Sequence, residues 1–529
     1  MQPNSRVVDN EFGDKNISNL FYSKYSVIYN EFEFSNNHIV QINDKIRYKC
    51  LSDACGMNHD ISKELVNECI KCLKKDKKDP SYEIYSNNII NGTDKLTFHL
   101  SNLFDLFISH GITNRDLNES IFIPIPENKR KTLCNSSNYR AITLSSIIGK
   151  LFEYVLLSKL SNMTQSSEYQ FGFKSNISTT YCSFLINQTI QYYKNNNSNV
   201  LCLFLDASKA FDRVRHDKLF PYLIERNICP LFLRIIAVMY AQNTAKVKWN
   251  SFTSESFPMN NGVKQGGILS PYLFNLYIDP LLINITKSKI GCHVGGKPAN
   301  VFSYADDIVV LAPTVKSLKK IICIINDFKN DFSINFNPDE SFILYFSNYD
   351  FNIDFDIFLD NVKISVVSQC KHLGFNMSNE KEIYEIKSSI DEMYVRSNVI
   401  RNNFYQLDSQ CKKELFNSHC LSLYGCELWD LQSKFISQLE IAWRKCIRCL
   451  LDLPYRTRSH LISYITKTLD IRKIIENRQI NFVIKGISHE SKLIDFFFKH
   501  ALVSRNFCKR NINLILKNNP NVKYTSLKK

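Results

Sequence analysis

The stretch Val301-Phe-Ser-Tyr-Ala-Asp-Asp-Ile-Val-Val-Leu311 places two adjacent acids, Asp306 and Asp307, between two short apolar runs. This pattern predicts two buried strands joined by a tight turn that carries both carboxylates. Two anions at the tip of a buried hairpin are unfavourable unless a cation binds to them. Magnesium meets this requirement, because it takes one or two protein carboxylates and completes its shell with phosphate and water oxygens. A polar turn without a ligand is the simpler interpretation of an isolated acidic pair, so the rest of the chain must decide.

A third acid, Asp206, directly follows the unbroken apolar run Val200-Leu-Cys-Leu-Phe-Leu205. Continuous apolar runs are typical of strands that are covered on both faces. If this strand neighbours the acidic hairpin in one sheet, three carboxylates from positions 306 − 206 = 100 residues apart converge on one small volume. Carboxylates that hold two metal ions are what a nucleotidyl-transfer site requires.

A glycine-containing loop lies between these acids, with the sequence Asn261-Gly-Val-Lys-Gln-Gly-Gly-Ile-Leu-Ser-Pro271. Glycine permits positive φ and close backbone approach, so the loop is suited to lie against a base pair. Ser270 as N-cap and Pro271 as the first helical residue predict that a helix follows.

The composition indicates a globular chain with a polyanionic partner. Of its 529 residues 44% are hydrophobic, and no apolar run approaches the length of about 18 residues that a membrane span needs. The N-terminus lacks the apolar core of a secretory signal, and 17 cysteines without framework spacing favour reduced thiols in the nucleus and cytoplasm. Lys and Arg exceed Asp and Glu by 66 − 51 = 15, which favours nucleic acid as the partner.

Strand and helix patterns are mixed along the chain without an internal repeat, which predicts an α+β fold. Helices are predicted at 62–73, 178–193, 231–242 and 317–332, and strands at 121–125, 200–206 and 341–346.

A further helix near the C-terminal end has one apolar face, formed by Ile436, Leu439, Trp443, Cys446 and Leu450. Its cations Arg444, Lys445 and Arg448 lie elsewhere on the same helix. Two interpretations of this basic face stay open, contact with a phosphate backbone and a solvated surface.

Five blocks, in order, resemble the reverse transcriptases of non-LTR (LINE-type) retrotransposons. They are Asn138-Tyr-Arg-Ala-Ile-Thr-Leu144, Gln170-Phe-Gly-Phe-Lys174, Phe204-Leu-Asp-Ala-Ser-Lys-Ala-Phe-Asp-Arg-Val214, Gly262-Val-Lys-Gln-Gly-Gly-Ile-Leu-Ser-Pro271 and Tyr304-Ala-Asp-Asp307. His372-Leu-Gly374 resembles the primer-grip region of that family, and Leu423-Tyr-Gly-Cys-Glu-Leu-Trp429 resembles part of its thumb. The resemblance covers about 103–454 and implies a right-hand polymerase fold.

The resemblance also implies a division of the chain into five regions. They are an N-terminal extension at 1–100, fingers at 101–199, a palm with the catalytic motifs at 200–375, a helical thumb at 376–460 and a basic helical segment at 461–529. About 100 residues cannot hold the endonuclease that the family's full-length proteins often carry, and no RNase H acidic set follows Asp470. We therefore expect the polymerase part of a larger element.

The same resemblance implies roles for individual residues. Asp206, Asp306 and Asp307 would hold two magnesium ions while a primer 3′-hydroxyl attacks the α-phosphate of a nucleotide. Phe211 occupies the steric-gate position, where an aromatic ring excludes a ribose 2′-hydroxyl, and a core phenylalanine is the alternative. The other implied substrate-binding residues are Gln265, Gly266 and Tyr304, with Arg140 and Lys174 as looser candidates for pairing with the triphosphate.

The implied function is that of an RNA-directed DNA polymerase that copies retrotransposon RNA into DNA. Its implied partners are an RNA template, a DNA primer or target DNA, and deoxynucleoside triphosphates, without a membrane; the sequence assigns no oligomeric state. Three departures from the family pattern leave an alternative open, a catalytically decayed relic that only binds nucleic acid. They are Ala141 where proline is usual, Glu340 where Lys or Arg is common, and Pro80-Ser81 in place of a glycine-rich continuation.

Overall fold

The computed structural model describes residues 7–32, 40, 43–44, 60–128, 132–207, 209–226, 228–348, 356–378, 384–504 and 507–518. Helices and sheets are mixed along the chain, which confirms the predicted α+β class. The chain forms two compact units: unit 1 comprises 1–173, 207–284 and 324–337, and unit 2 comprises 174–206, 285–323 and 338–529. Within the described residues, no helix combines the length and hydropathy needed to cross a bilayer.

The strands of the described residues are, in chain order, β1 (Val7–Val8), β2 (Glu11–Phe12), β3 (Glu119–Pro126), β4 (Tyr139–Ser145), β5 (Val200–Leu205), β6 (Thr244–Trp249), β7 (Phe252–Pro258), β8 (His293–Val294), β9 (Lys297–Pro298), β10 (Val301–Tyr304), β11 (Asp307–Ala312), β12 (Phe342–Phe346), β13 (Phe358–Leu359), β14 (Val362–Lys363), β15 (Ser365–Val367), β16 (Gln369–His372) and β17 (Phe375–Ser378). The predicted strands at 121–125, 200–206 and 341–346 are thus confirmed as β3, β5 and β12.

The α-helices, again in chain order, are α1 (Asp14–Ile28), α2 (Lys63–Lys71), α3 (Ser86–Ile90), α4 (Asp94–His110), α5 (Arg115–Asn118), α6 (Ile147–Met163), α7 (Thr179–Asn195), α8 (His216–Glu225), α9 (Pro230–Ala241), α10 (Ser270–Lys287), α11 (Val315–Phe332), α12 (Tyr384–Asn403), α13 (Ser409–Cys420), α14 (Lys434–Leu450), α15 (Ser459–Thr466), α16 (Ile471–Ile487), α17 (Lys492–Val503) and α18 (Phe507–Asn518). The predicted helices are confirmed as α2, α7, α9 and α11, and α10 begins at Ser270, one residue before the predicted first helical residue Pro271.

Unit 2 contains a five-stranded sheet in the order β10-β11-β5-β12-β15. Every residue of β5 is buried, as its continuous apolar run predicts. This strand pairs antiparallel with β11 on one side and with β12 on the other. Helix α7 packs against β5 and β10, which covers one part of the sheet. The sheet therefore places the strand that ends before Asp206 next to the strand that begins at Asp307.

Unit 1 contains a four-stranded sheet in the order β4-β3-β6-β7, against which α1 packs. Aromatic residues dominate the contact: the ring centroids of Phe21 and Trp249 lie 5.3 Å apart, and those of Tyr29 and Phe122 lie 5.1 Å apart. These four side chains are fully buried. Rings of this size each remove a large apolar area from water, so α1 is an integral part of this unit's core.

The C-terminal helices use several of their cations internally. On α14, Arg444 pairs with Glu440 at 3.4 Å and with Asp470 at 3.1 Å. Arg448 donates from its guanidinium nitrogens to the carbonyl oxygen of Thr457, at 2.8 and 3.2 Å. For Arg444 and Arg448, neither the phosphate-contact interpretation nor the solvated-surface interpretation is right, because both arginines hold neighbouring segments in place.

Residue Tyr29, just beyond the end of α1, forms a buried hydrogen bond to a carboxylate of unit 1. Its hydroxyl donates to Oδ1 of Asp212 over 2.5 Å. Asp212 is 7% exposed, and burial raises its pKa to about 6, although the hydrogen bonds from Tyr29 and Gln265 oppose that shift. The carboxyl group is consequently a buried anion at neutral pH.

We predict that Asp212→Asn makes stability less sensitive to pH. Because the pKa of Asp212 is raised in the folded state, its carboxyl group stays protonated between about pH 4 and 6 in the folded protein but ionises in the unfolded chain. The free energy of unfolding therefore falls as the pH rises through this range, and the loss is complete above about pH 6. Between pH 5 and pH 8 the wild type should lose about 1.4 kcal/mol relative to the variant, which keeps the acceptor oxygen but carries no charge. Urea unfolding of both proteins at the two pH values measures this difference. An equal stability difference at pH 5 and pH 8 would contradict the prediction.

Candidate active site

The two adjacent acids lie at a tight hairpin turn. In the antiparallel pair β10 and β11, Tyr304 is opposite Asp307, so Ala305 and Asp306 form the connecting turn. Ala305 has a φ of 58°, a left-handed conformation that costs a non-glycine residue about 1–2 kcal/mol. The hydroxyl of Ser303 donates to the carbonyl oxygen of Ala305 at 2.8 Å, inside the buried flank of the hairpin. The predicted hairpin is confirmed, and its strained turn is held by the strands on either side.

The sheet register brings the third acid to this hairpin. Ile308 of β11 is opposite Leu205 of β5, so the next step of the ladder places Asp206 beside Asp307. Side chains directly opposite in an antiparallel pair have Cβ atoms about 4.5–5.5 Å apart. The backbone N–H of Asp206 donates to the hydroxyl of Ser341 at 3.3 Å. Two carboxylates therefore meet at the end of β5, with Asp306 in the adjoining turn.

The charges of these acids affect one another. The pKa of Asp307 is raised to about 6, first by desolvation and then by the negative charges of Asp306 and Asp206. Asp307 still retains an exposed part. At neutral pH the end of β5 thus concentrates negative charge that a bound cation would stabilise.

The chemistry of these ligands fits magnesium. No group of three or more His, Cys, Asp or Glu side chains within the described ranges is already arranged as a complete metal site. Magnesium does not need one, because one or two carboxylates suffice when substrate phosphates and water supply the other oxygens. Asp206 and Asp307 on paired strands meet that requirement, and oxygen-only ligands favour magnesium over zinc.

The loop at 261–271 lies against the strand β4 in unit 1. The backbone N–H of Thr143 donates to the carbonyl oxygen of Gln265 at 2.8 Å. Gly266 has a φ of 111°, and a Cβ atom there would lie 3.0 Å from the carbonyl oxygen of Thr143. Glycine is therefore required at this position both for its backbone angle and for the close approach.

Two buried side chains support the same loop. Glu153 of α6 accepts the backbone N–H groups of Ile268 at 2.6 Å and Leu269 at 3.2 Å. Nε2 of His216 lies 2.8 Å from the carbonyl oxygen of Gly262 and so carries the donated hydrogen. Burial lowers the pKa of His216 to about 4, so the ring is neutral at pH 7. Carboxylate and imidazole together fix the loop backbone.

Asp212 orients the side chain of Gln265, a role that no sequence interpretation assigned. Nε2 of Gln265 donates to Oδ1 of Asp212 at 2.9 Å, the same oxygen that accepts the Tyr29 hydroxyl. The sequence signal that could have pointed to a role for Asp212 was its position as an acid within the mostly apolar block at 204–214. Tyr29 carried no such signal, because the contact joins segments far apart in sequence.

The ring of Phe211 is supported from the core side. It stacks on the fully buried ring of Phe274, with centroids 4.6 Å apart and planes 12° apart. The exposed Phe173 lies at its edge, at a centroid distance of 6.3 Å. Phe211 itself is half-buried. Such a ring has one supported face and one part that is open to solvent.

The remaining predicted site residues are placed as follows. Arg140 is an exposed residue of β4 whose Nε pairs with Glu127 at 2.5 Å. Lys174 and Tyr304 are half-buried. Unit 1 contains Arg140, Phe211, Gln265 and Gly266, and unit 2 contains Lys174, Asp206, Tyr304, Asp306 and Asp307.

The two outer motifs contact each other in unit 2. His372 and the turn after it join β16 to β17, and the hydroxyl of Tyr424 donates to the carbonyl oxygen of Leu373 at 2.8 Å. A Cβ atom on Gly374, whose φ is 84°, would lie 2.8 Å from the Tyr424 ring. His372 is buried near the ring of Phe204, and burial lowers its pKa to about 4. These motif residues thus hold a hairpin beside β5.

Known proteins resemble part of this chain in sequence. The sequence pattern of the family described as reverse transcriptase (RNA-dependent DNA polymerase) matches residues 125–377. The chain is 27% identical over 226 residues to the retrovirus-related Pol polyprotein from type-2 retrotransposable element R2DM of Drosophila melanogaster, covering 43% of this chain and 21% of the relative. It is 22% identical over 367 residues to the RNA-directed DNA polymerase from mobile element jockey of Drosophila melanogaster, covering 66% of this chain and 39% of the relative.

The chain therefore spans well under half the length of these relatives. The matched range contains the acidic hairpin, β5, the loop at 261–271 and the block at 138–144. Residues 125–377 accordingly match the reverse transcriptase family, and the two relatives named above come from a retrotransposable element and a mobile element.

Proposed function

We propose that the chain is an RNA-directed DNA polymerase that copies retrotransposon RNA into DNA. One observation carries this proposal: the pairing of β5 with β11 sets Asp206 beside Asp307, with Asp306 in the adjoining turn, inside the matched domain. The proposal assigns fingers to 101–199, the palm to 200–375 and a helical thumb to 376–460, with an N-terminal extension before them and a basic helical segment after them. The proposed partners are an RNA template, a DNA primer or target DNA, and deoxynucleoside triphosphates, in the nucleus and cytoplasm.

The carboxylates are the centre of the proposed mechanism. Two magnesium ions held by Asp206, Asp306 and Asp307 would activate a primer 3′-hydroxyl and neutralise the charge on the leaving pyrophosphate. The chain's own task is to keep the carboxylates ionised and close together. A pKa of about 6 for Asp307 leaves that carboxylate ionised at neutral pH.

A further set of residues would position the nucleotide. Gln265, oriented by Asp212, would contact the nascent base pair, while Gly266 lets the loop lie against β4. Arg140 would exchange Glu127 for a phosphate group of the incoming nucleotide, since its side chain is exposed. Lys174 and Tyr304 complete the proposed set of substrate-binding residues.

The departures from the family pattern are compatible with an active enzyme. Ala141 is buried in β4 opposite Pro124, and the strand continues through it. Glu340 is exposed in the turn before β12. We therefore favour the active polymerase over the decayed relic.

We predict that Asp306→Asn lowers primer extension on an RNA template about 100-fold or more. The carboxylate stabilises charge that develops in the transition state, whereas affinity for RNA comes from dispersed Lys and Arg residues. Single-turnover extension with magnesium measures the rate, and fluorescence anisotropy of labelled RNA measures the affinity, which should change little. Asp391→Asn is the matched control, because this exposed acid of α12 changes the net charge equally. Wild-type extension by Asp306→Asn would refute the site assignment.

We predict that Phe211→Ala relaxes the choice of sugar. In the proposed site a ribose 2′-oxygen would overlap the edge of the Phe211 ring. The stacked ring of Phe274 would keep the Phe211 ring from moving away from this oxygen. A steric overlap that costs about 1–3 kcal/mol corresponds to a preference of roughly 5- to 150-fold for deoxynucleotides over ribonucleotides. The ratio of ribonucleotide to deoxynucleotide incorporation should rise by about this factor in the alanine variant. It should stay at the wild-type value in Phe211→Tyr.

The alternative core role of Phe211 gives a different result. A lowered melting temperature with an unchanged incorporation ratio in Phe211→Ala would show that the ring only packs.

A further inference from the structure

An exposed surface of unit 2 lies outside the matched domain and combines tyrosine rings with cations. The segment 453–469 contains Arg456, Arg458 and Lys467 but neither Asp nor Glu. Tyr455 is 88% exposed and Tyr464 is 82% exposed. We call Tyr455, Arg456, Arg458, His460, Tyr464 and Lys467 the 455–467 surface. All six residues are exposed.

The local backbone presents Tyr455 at a fixed turn. The backbone N–H and the hydroxyl of Thr457 both donate to the carbonyl oxygen of Pro454, at 2.9 and 2.7 Å. The guanidinium group of Arg448 donates to the carbonyl oxygen of Thr457 and, at 3.3 Å, to the hydroxyl of Ser459. Arg448 thus anchors the turn to α14, so the turn would lose little backbone entropy when a ligand binds to Tyr455.

Helix α15 presents Tyr464 in the same way. Ile462 and Thr466 are buried, and they lie one helical turn apart on the inner face. At 100° per residue, Tyr464 lies opposite the midpoint of these two positions and so at the centre of the solvent face. His460 precedes it by four residues on the same helix, which places His460 near that face, and Lys467 directly follows the last helical residue.

The cations of this surface are available to a ligand. Within the part of the chain that the structure describes, the neighbouring ion pairs use Lys412, Arg444 and Arg472 rather than Arg456, Arg458 or Lys467. Those pairs involve the acids that flank the segment: Asp470 is bound by Arg444 at 3.1 Å, and Asp452 lies 4.0 Å from Lys412. The surface consequently keeps a positive charge that favours a polyanion.

We propose that the 455–467 surface binds single-stranded RNA. Exposed aromatic rings stack on unpaired bases without regard to sequence, and adjacent cations follow the phosphate backbone. A duplex would offer the phosphates but not the base faces, so the tyrosines select unpaired RNA. The choice of RNA as the polyanion rests on the proposed function, in which an RNA template must be held. Leu461 and Ile465 are also exposed on α15, and a protein partner would use them.

The first test compares RNA binding by ring variants, using a labelled, unstructured uridine-rich RNA and fluorescence anisotropy. Tyr455→Ala combined with Tyr464→Ala should weaken binding about 30-fold or more, because two base-stacking contacts are lost. The corresponding double phenylalanine variant should retain wild-type affinity. Tyr405→Ala is the matched control, since Tyr405 is 67% exposed and lies outside the surface.

The second test separates charge from stacking. Arg456→Gln combined with Arg458→Gln should reduce the slope of log affinity against log salt by about 1.4, or about 0.7 for each phosphate contact that is lost. Blunt duplex RNA should bind equally well to the wild type and to the double alanine variant. Ultraviolet crosslinking of 4-thiouridine RNA should label the peptide that contains 453–469.

The outcomes distinguish this surface from the polymerase proposal. If the double alanine variant binds single-stranded RNA as tightly as the wild type, the surface serves another partner, such as a protein, and the inference is wrong. An equal loss of duplex binding would also overturn it. Absence of extension by the wild type, together with weaker RNA binding by the variant, would refute the polymerase but support the surface.

Discussion

The antiparallel pairing of β5 with β11 is the constraint on which the proposed chemistry depends. Its register continues from Leu205 and Ile308 to Asp206 and Asp307, so two acids meet where the buried part of the sheet ends. Like charges this close repel one another, and the pKa of Asp307 shifts to about 6 in response to desolvation and to its acidic neighbours. The buried strands supply the free energy that holds these acids together, since all of β5 is removed from water.

The loop at 261–271 depends on a different kind of support. Its backbone is held by main-chain contacts to β4 and by the side chains of Glu153 and His216. Asp212 adds a buried carboxylate that accepts from both Tyr29 and Gln265. A buried anion lowers stability at neutral pH unless it is hydrogen-bonded, so its presence next to a candidate substrate residue fits a functional requirement better than a purely structural one.

The positive charge of the C-terminal helices is used in two ways. Arg444, Arg448 and Arg472 are partly buried and connect α14 to the segments after it. Partly buried arginines of this kind contribute through geometry and packing as much as through charge. The cations of the 455–467 surface are instead exposed and accompany two open tyrosine rings. The net charge of +15 is thus not evenly available to a nucleic acid.

Sequence alone determined the local features of this protein. The acidic hairpin, the buried strand before Asp206 and the helix predicted at 317–332 all follow from residues within a few positions of one another. Apolar periodicity and turn chemistry act over that range, which is why they were readable. Only the tertiary structure decided that β5 neighbours β11, that Tyr29 reaches Asp212, and that Arg444 is paired internally. Such contacts join segments far apart in the chain, and they are chosen by the burial of the whole fold, which no local pattern records.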